Sequence, residues 1–304
     1  MRDLLDAPAE EVAAERGRVA DEGWGHRLLA LQNADGHWGA TEPRSWLESP
    51  DGSTTYAMLL LRYMGLDRDA DAARSAVDRI KERVTYIWQG NIPYFGGETE
   101  VCVNGMVLTV GAYFGAIDET ETVVEWLLGA QLDDGGWNCD APESRNGSFH
   151  STICVLEGLL EWERSRPSSE IASARARGEE FLLERRLFRR RSTGEVADEA
   201  FTRFGFPPGW HYDVLRGLDY LREANRAPDQ RIEEAVDMVA SRQDRSGRWP
   251  LEALHPGLDS DQERTFWDAA HDYGLKEKVG EPSVWNTLRA LRVLRWAGRE
   301  RPPL

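Results

Sequence analysis

Cysteine is scarce in this chain: Cys102, Cys139 and Cys154 are the only three in 304 residues. An odd, small number of thiols excludes a disulfide framework for a chain of this size and leaves free or metal-bound thiols as the expectation. Long apolar runs are missing too. The longest, Gly105 to Ile117, is about a dozen residues, well short of the roughly 20 that a membrane-spanning helix needs. Basic side chains are outnumbered, 37 Lys and Arg against 53 Asp and Glu, for a net charge of -16. Such a chain repels phosphates unless a local basic face overrides the balance, so nucleic acid is not an expected partner. The opening Met1-Arg2-Asp3-Leu4-Leu5-Asp6 has neither a charged stretch followed by a long apolar core nor a small-residue cleavage site, and a cytoplasmic protein is expected.

What is present is a repeat. Gln-x3-Gly-x-Trp stands intact at Gln32/Gly36/Trp38, Gln131/Gly135/Trp137 and Gln243/Gly247/Trp249. Two worn copies fall into the same frame. Gln89 to Phe95 keeps the Gln, with Pro93 at the Gly position and Phe95 at the Trp position, and Arg190 to Val196 keeps only Gly194. Anchors recurring roughly every 50 residues suit a helical hairpin repeat. A repeat running from end to end favours one domain over residues 1–304.

Between anchors lie two helical patterns, one apolar on most sides and one amphipathic and charged, as buried inner helices and solvated outer helices require. Outer helices are expected over Ala9 to Gln32, Asp67 to Trp88, Glu119 to Gln131, Ser169 to Phe188 and Gln230 to Gln243. Inner helices are expected to open at Ser53, Cys102, His150, His211 and Pro282, the last after an irregular link from Pro250 to Glu281. The second inner helix carries Gly105, Gly111 and Gly115. Each Gly costs a helix about 1 kcal/mol relative to Ala, so three point to close backbone approach or to space left for something.

The turns resemble the QW repeats of triterpene cyclases such as squalene-hopene cyclase, in which Gln-x3-Gly-x-Trp follows an apolar helix; Leu28 to Trp38 and Trp126 to Trp137 fit that signature. The resemblance implies an all-α fold, an α/α toroid of about five inner/outer helix pairs around a central cavity, an architecture shared with protein prenyltransferase β subunits. The acidic Asp-x-Asp-Asp of the squalene-hopene cyclases has as its nearest counterpart Gln131-Leu132-Asp133-Asp134, without the first Asp. Prenyltransferase zinc ligands are an acidic residue two before a Cys at one inner-helix opening and a His at the next. Glu100-Val101-Cys102 and Phe149-His150-Ser151 stand in those positions.

An isoprenoid-processing enzyme, acting on a long apolar substrate in the cavity with tentative zinc assistance, is therefore the first functional expectation. A zinc-thiolate enzyme resembling the lanthipeptide cyclases, which activate a peptide thiol, is a second, and a non-catalytic toroid that binds a lipid or a partner is a third. Because inner-helix N-termini gather at one end of a toroid, Cys102, Cys139, His150 and His211 are the expected metal ligands. Glu100 and Asp213 are the expected proton-transfer groups for catalysis. Tyr56, Phe149, Tyr212 and Trp285 are expected to line the substrate cavity, where aromatic faces stabilise carbocations. The run Arg185 to Arg191 suits peripheral contact with an anionic membrane or a diphosphate; as the cationic end of an outer helix it is also favoured by the helix dipole.

Overall fold

The computed structural model describes residues 2–38, 50–254 and 277–299. Twelve helices carry them: α1 (Arg2–Leu5), α2 (Ala9–Arg18), α3 (Gly23–Ala30), α4 (Pro50–Tyr63), α5 (Asp71–Arg83), α6 (Val101–Tyr113), α7 (Glu121–Gly129), α8 (Phe149–Ser165), α9 (Ser169–Glu184), α10 (Val214–Glu223), α11 (Glu233–Ser241) and α12 (Val284–Trp296). The strands are two-residue pieces: β1 (Thr85–Tyr86) pairs antiparallel with β2 (Ile92–Pro93), and β3 (Trp249–Pro250) with β4 (Pro282–Ser283). The chain is mostly helical, as its periodicity predicts.

The apolar helices are neighbours in chain order: α4 packs on α6, α6 on α8, α8 on α10 and α10 on α12. Their amphipathic partners lie against them, α7 on α6, α9 on α8 and α11 on both α10 and α12. Helix α6 is buried over all of its 13 residues except Cys102 and Tyr113, as a helix with no polar stripe must be.

Each intact repeat builds the same turn. Its Gly has a φ of +89° (Gly36), +86° (Gly135) or +79° (Gly247), a left-handed conformation that disfavours any side chain. Space forbids one as well, since a Cβ on Gly135 would lie 2.4 Å from the Arg177 carbonyl oxygen. The Gln side chain closes the turn, Nε2 donating to the carbonyl of the repeat Gly at 3.0, 2.7 and 3.0 Å. In the first two copies it also donates to the following amphipathic helix, at Ala76 O (3.1 Å) and Ala174 O (2.8 Å). The fully buried Trp donates Nε1–H to a carbonyl ten residues back, Leu28 O, Leu127 O or Val239 O, at 2.7, 2.7 and 2.6 Å. Its backbone N–H is received by a threonine of the next apolar helix, Thr54, Thr152 or Thr287. One turn thereby ties three helices together.

The glycines of α6 serve close approach. A Cβ on Gly105 would stand 2.5 Å from the Cys154 backbone carbon, and one on Gly158 of α8 would stand 2.5 Å from the Gly105 carbonyl oxygen. Gly111 abuts Thr120 and Phe95, while Gly115, at φ +83°, ends the helix.

Three boundaries differ from expectation. The first outer helix is two, α2 and α3, because the chain turns after Arg18 and restarts at Gly23, with a φ of +64°. Helix α9 stops at Glu184, and Arg186 and Leu187 then adopt positive φ, so the arginine run is a turn rather than a helix end. Helix α10 opens at Val214 instead of His211, capped by Asp213, whose Oδ1 accepts the Arg216 N–H at 2.8 Å. Most of the link expected from Pro250 to Glu281 lies outside the described residues; its two described ends form the β3–β4 pair.

Gln131→Ala removes the donor to two carbonyls and should lower stability by roughly 1 to 2 kcal/mol; an unchanged chemical denaturation midpoint would contradict this role. Gly105→Ala should destabilise by about 1 to 3 kcal/mol even though Ala is the better helix former, because backbone cannot move out of the way. Equal or greater stability of that variant would show that α6 and α8 are not in contact there.

Candidate functional site

The segment that leads into α6 is pinned before it reaches the thiols. Asn104, buried in the first turns of α6, holds the Glu98 peptide at both ends: its Oδ1 accepts the Glu98 N–H and its Nδ2 donates to the Glu98 carbonyl, each at 2.7 Å. Gly97 must be glycine here, with a φ of +79° and a Cβ position 2.6 Å from Asn104 Oδ1. Glu98 in turn accepts the Glu100 N–H (3.0 Å) and the Gln89 side-chain amide (2.7 Å), so the β1–β2 hairpin and the α6 entrance are one unit. Gln89, a worn repeat anchor, has exchanged its role in a turn for this one.

Cys139 arrives from the second intact repeat turn, two residues after Trp137. Its N–H donates to Ser151 Oγ at 3.3 Å, and its Sγ lies 3.3 Å from the same hydroxyl. The Cys102 N–H, among the unpaired donors of the α6 N-terminus, reaches Cys139 Sγ at 3.4 Å. One ligand atom from each of Glu100, Cys102 and Cys139 lies within 4.8 Å of the others, with Glu100 exposed and both cysteines half-buried. The neighbouring Cys102 thiol holds the Cys139 thiol below its usual range, helped by Ser151 and opposed by burial. Cys139 and burial in turn push the Cys102 thiol far up. Sulfur and carboxylate in this arrangement can hold a soft or borderline divalent metal.

The expected histidines are elsewhere. His150 is one residue, about 100° of helix, away from Ser151 and faces α10 instead. Its Nδ1 accepts the Tyr212 N–H at 2.9 Å, and its ring meets Phe201, Trp210 and His211 at centroid separations of 5.2, 5.1 and 5.3 Å. His211 stacks on Trp210. Among the described residues no histidine joins the Glu100–Cys102–Cys139 group, so the four expected ligands form two separate pairs. With Nδ1 accepting, neutral His150 carries its proton on Nε2 and has no lone pair left for a metal. Burial, then the Arg216 charge, lower its pKa from 6.5 to about 4. The third cysteine, Cys154, is buried against the Trp210 carbonyl and Arg216, its thiol pushed up to about 12 by burial.

Asp213, expected as a proton-transfer group, is the α10 cap. Its second oxygen accepts the Gly205 N–H at 3.1 Å, Arg289 stands 3.8 Å away, and burial raises its pKa. The aromatic residues expected to line a cavity are packed in the core. Tyr56 is 3 % exposed; Phe149 touches Phe181, Phe201 and Tyr212; the Tyr212 hydroxyl donates to the Leu187 carbonyl; Trp285 stacks on Phe206 at 4.6 Å.

Between the apolar helices the sequence reading missed a set of buried ion pairs. Arg62 of α4 reaches Glu161 of α8 (2.7 Å) and Glu223 of α10 (3.3 Å), Arg216 of α10 reaches Glu157 of α8 (2.7 Å), and Arg289 of α12 lies 3.9 Å from Asp219 of α10. The signal was present: Glu157 and Glu161 stand four apart, on one face of an otherwise apolar helix. The run Arg185 to Arg191 is largely paired, Arg185 with Asp134, Arg189 with Glu234 and Arg191 with Glu184. No helix among the described residues is long and apolar enough to cross a membrane.

The sequence matches no protein-family profile and no curated protein. Among solved structures it is similar to a wild-type glycosidase (15% identity, TM-score 0.31, covering 96% of this chain and 99% of that one). It is also similar to a glycosidase variant in complex with glucose (14% identity, TM-score 0.32, the same coverage). Likeness at this level carries no argument about fold or activity.

By NMR, the His150 ring should titrate with a midpoint near 4 rather than 6.5. Because the unfolded chain binds this proton more readily, the contribution of His150 to stability is full above about pH 6.5 and is lost as pH falls from there toward 4. A midpoint at or above 6.5 would mean that the ring is solvated or has a carboxylate partner.

Proposed function

We propose that the chain is a zinc-thiolate enzyme built on a QW-repeat α/α toroid, the fold class it resembles, with Glu100, Cys102 and Cys139 as metal ligands and a fourth position open to substrate. The observation that carries this reading is the convergence of those three residues where α6 and α8 open. The toroid is supported by the chain-order packing of α4, α6, α8, α10 and α12 and by repeat turns that tie each amphipathic helix to its apolar neighbours.

The donor set suits the ion. Zinc takes thiolate at about 2.3 Å and carboxylate at about 2.0 to 2.2 Å in tetrahedral geometry, and donors no more than 4.8 Å apart need only side-chain adjustment to reach it. Outer partners are in place as well: the Cys102 N–H and Ser151 orient Cys139, and Asn104 with Glu98 orients the segment that carries Glu100. Bound zinc would supply a Lewis acid that lowers the pKa of a thiol or water beside it. Glu100, the exposed member, would hold the metal from the solvent side, where its second carboxylate oxygen could take the proton of a group arriving at the open position.

The resemblance to prenyltransferases implies an isoprenoid in an aromatic-walled cavity. The paired charges of Arg62, Glu157, Glu161 and Arg216 between the apolar helices favour another substrate, because an alkyl chain there gains nothing from buried ion pairs that it cannot satisfy. We infer that the thiol of a polar molecule, such as a cysteine-containing peptide, approaches the exposed Glu100 side, which is the activity of the lanthipeptide-cyclase-like alternative. Metal analysis of the reduced protein tests the reading. About one zinc per chain is expected, lost in Cys102→Ser and Cys139→Ser and retained in His150→Gln. A zinc-free wild type, or zinc lost only in the histidine variant, would overturn it.

A further inference from the structure

We propose that Cys102 and Cys139 have a second activity, exchange with small-molecule disulfides, in which Cys139 attacks and Cys102 resolves. The inference does not depend on a metal, since it uses the two sulfurs as thiols.

The geometry separates the roles. Cys139 Sγ is where donors meet. It accepts the Cys102 N–H at 3.4 Å, and Ser151 Oγ lies 3.3 Å away. Ser151 already receives the Cys139 N–H on its oxygen, so its own hydroxyl hydrogen is free to point at the sulfur. One backbone N–H from the first turn of α6 and one side-chain hydroxyl from the first turn of α8 therefore meet at this sulfur, and at Cys102 no such pair of donors is found among the described residues. Cys139 is half-buried and so accessible to a small reagent. Cys102, on α6 and likewise half-buried, has its sulfur at most 4.8 Å away, within reach of side-chain rotation. Cys154 is excluded: it is fully buried one turn into α8, against Arg216 and the Trp210 carbonyl.

With oxidised glutathione as the disulfide the step balances. The Cys139 thiolate attacks one sulfur of the disulfide, and the other leaves as glutathione thiolate, which takes a proton from solvent. Cys102 loses its proton to solvent and its sulfur attacks Cys139 Sγ, expelling the second glutathione, which is protonated in turn. Two electrons pass from the cysteine pair to the reagent; two glutathiones are produced, and Cys102 and Cys139 are joined. The joined pair offers no thiolate to a metal, so this state and a metal-bound state exclude one another.

The test incubates the reduced, chelator-treated full chain with oxidised glutathione, alkylates the remaining thiols and maps the products by mass spectrometry. The expected result is a cross-linked Cys102–Cys139 peptide with Cys154 alkylated. Cys102→Ser should accumulate a stable glutathione adduct on Cys139, and Cys139→Ser should react about tenfold more slowly or less, with circular dichroism confirming that both variants fold. A persistent mixed disulfide in the wild type, first attack at Cys102, or pairing through Cys154 would overturn the proposal. Cross-linking in a protein that never binds zinc would overturn the metal reading alone, and zinc binding without cross-linking would overturn this one alone.

Discussion

The contact between α6 and α8 at Gly105 and Gly158 is the constraint on which the rest depends. Neither position has room for a methyl group, and Thr109 of α6 also caps the Gly105 carbonyl at 2.9 Å. The pairs of residues that meet, Gly105 with Cys154 and Leu108 with Gly158, advance together along both helices, so the helices run parallel. Parallel neighbours place both N-terminal ends, with their unpaired N–H groups and partial positive charge, at one edge of the molecule. Cys139 sits between them because the second intact repeat turn delivers it there, its Trp137 bound to Thr152 of α8. Packing that tolerates only glycine is thus the cause of the electrostatics at the thiols.

The repeat turns and the internal ion pairs divide the remaining work. Each turn uses a glutamine and a tryptophan to satisfy carbonyls that a helix end would otherwise leave unpaired, so the turn can be buried at little cost. The ion pairs act across the apolar helices. Burial opposes the charge of Arg62, and Glu161 and Glu223 outweigh it, holding the guanidinium firmly protonated. Buried pairs of this kind add little net stability, but losing one partner strands the other. In this protein they join α4 to α8 and α10, and α10 to α8.

How far the fold could be read from sequence follows from the range of the interactions. The three intact turns were legible because their hydrogen bonds lie within ten residues or follow a fixed spacing, and the apolar helices because burial leaves a continuous pattern. The convergence of Glu100, Cys102 and Cys139 was legible in part, since Glu100 and Cys102 stand at the opening of α6 and Cys139 in the repeat turn that leads to α8. The separation of His150 from Cys139 was not, because it turns on one residue of helix rotation that opening positions do not encode. Asp213 illustrates the same limit: its position before Val214 suits a cap and a proton donor equally, and only the Gly205 and Arg216 N–H groups decide between them. The pairing of Arg62 with Glu161, 99 residues away, leaves no local trace at all.

Two sulfurs and one carboxylate, brought together where α6 and α8 open, are proposed to form a single metal-binding site. Cobalt(II) titration of the reduced protein tests it most directly, because cobalt takes the tetrahedral sites of zinc and reports its ligands in its absorption. Saturation near one cobalt per chain is expected, with an intense sulfur-to-cobalt charge-transfer band and tetrahedral visible bands that lose intensity in either cysteine variant. A weak spectrum typical of six oxygen and nitrogen ligands, unchanged by the loss of Cys102 or Cys139, would contradict it.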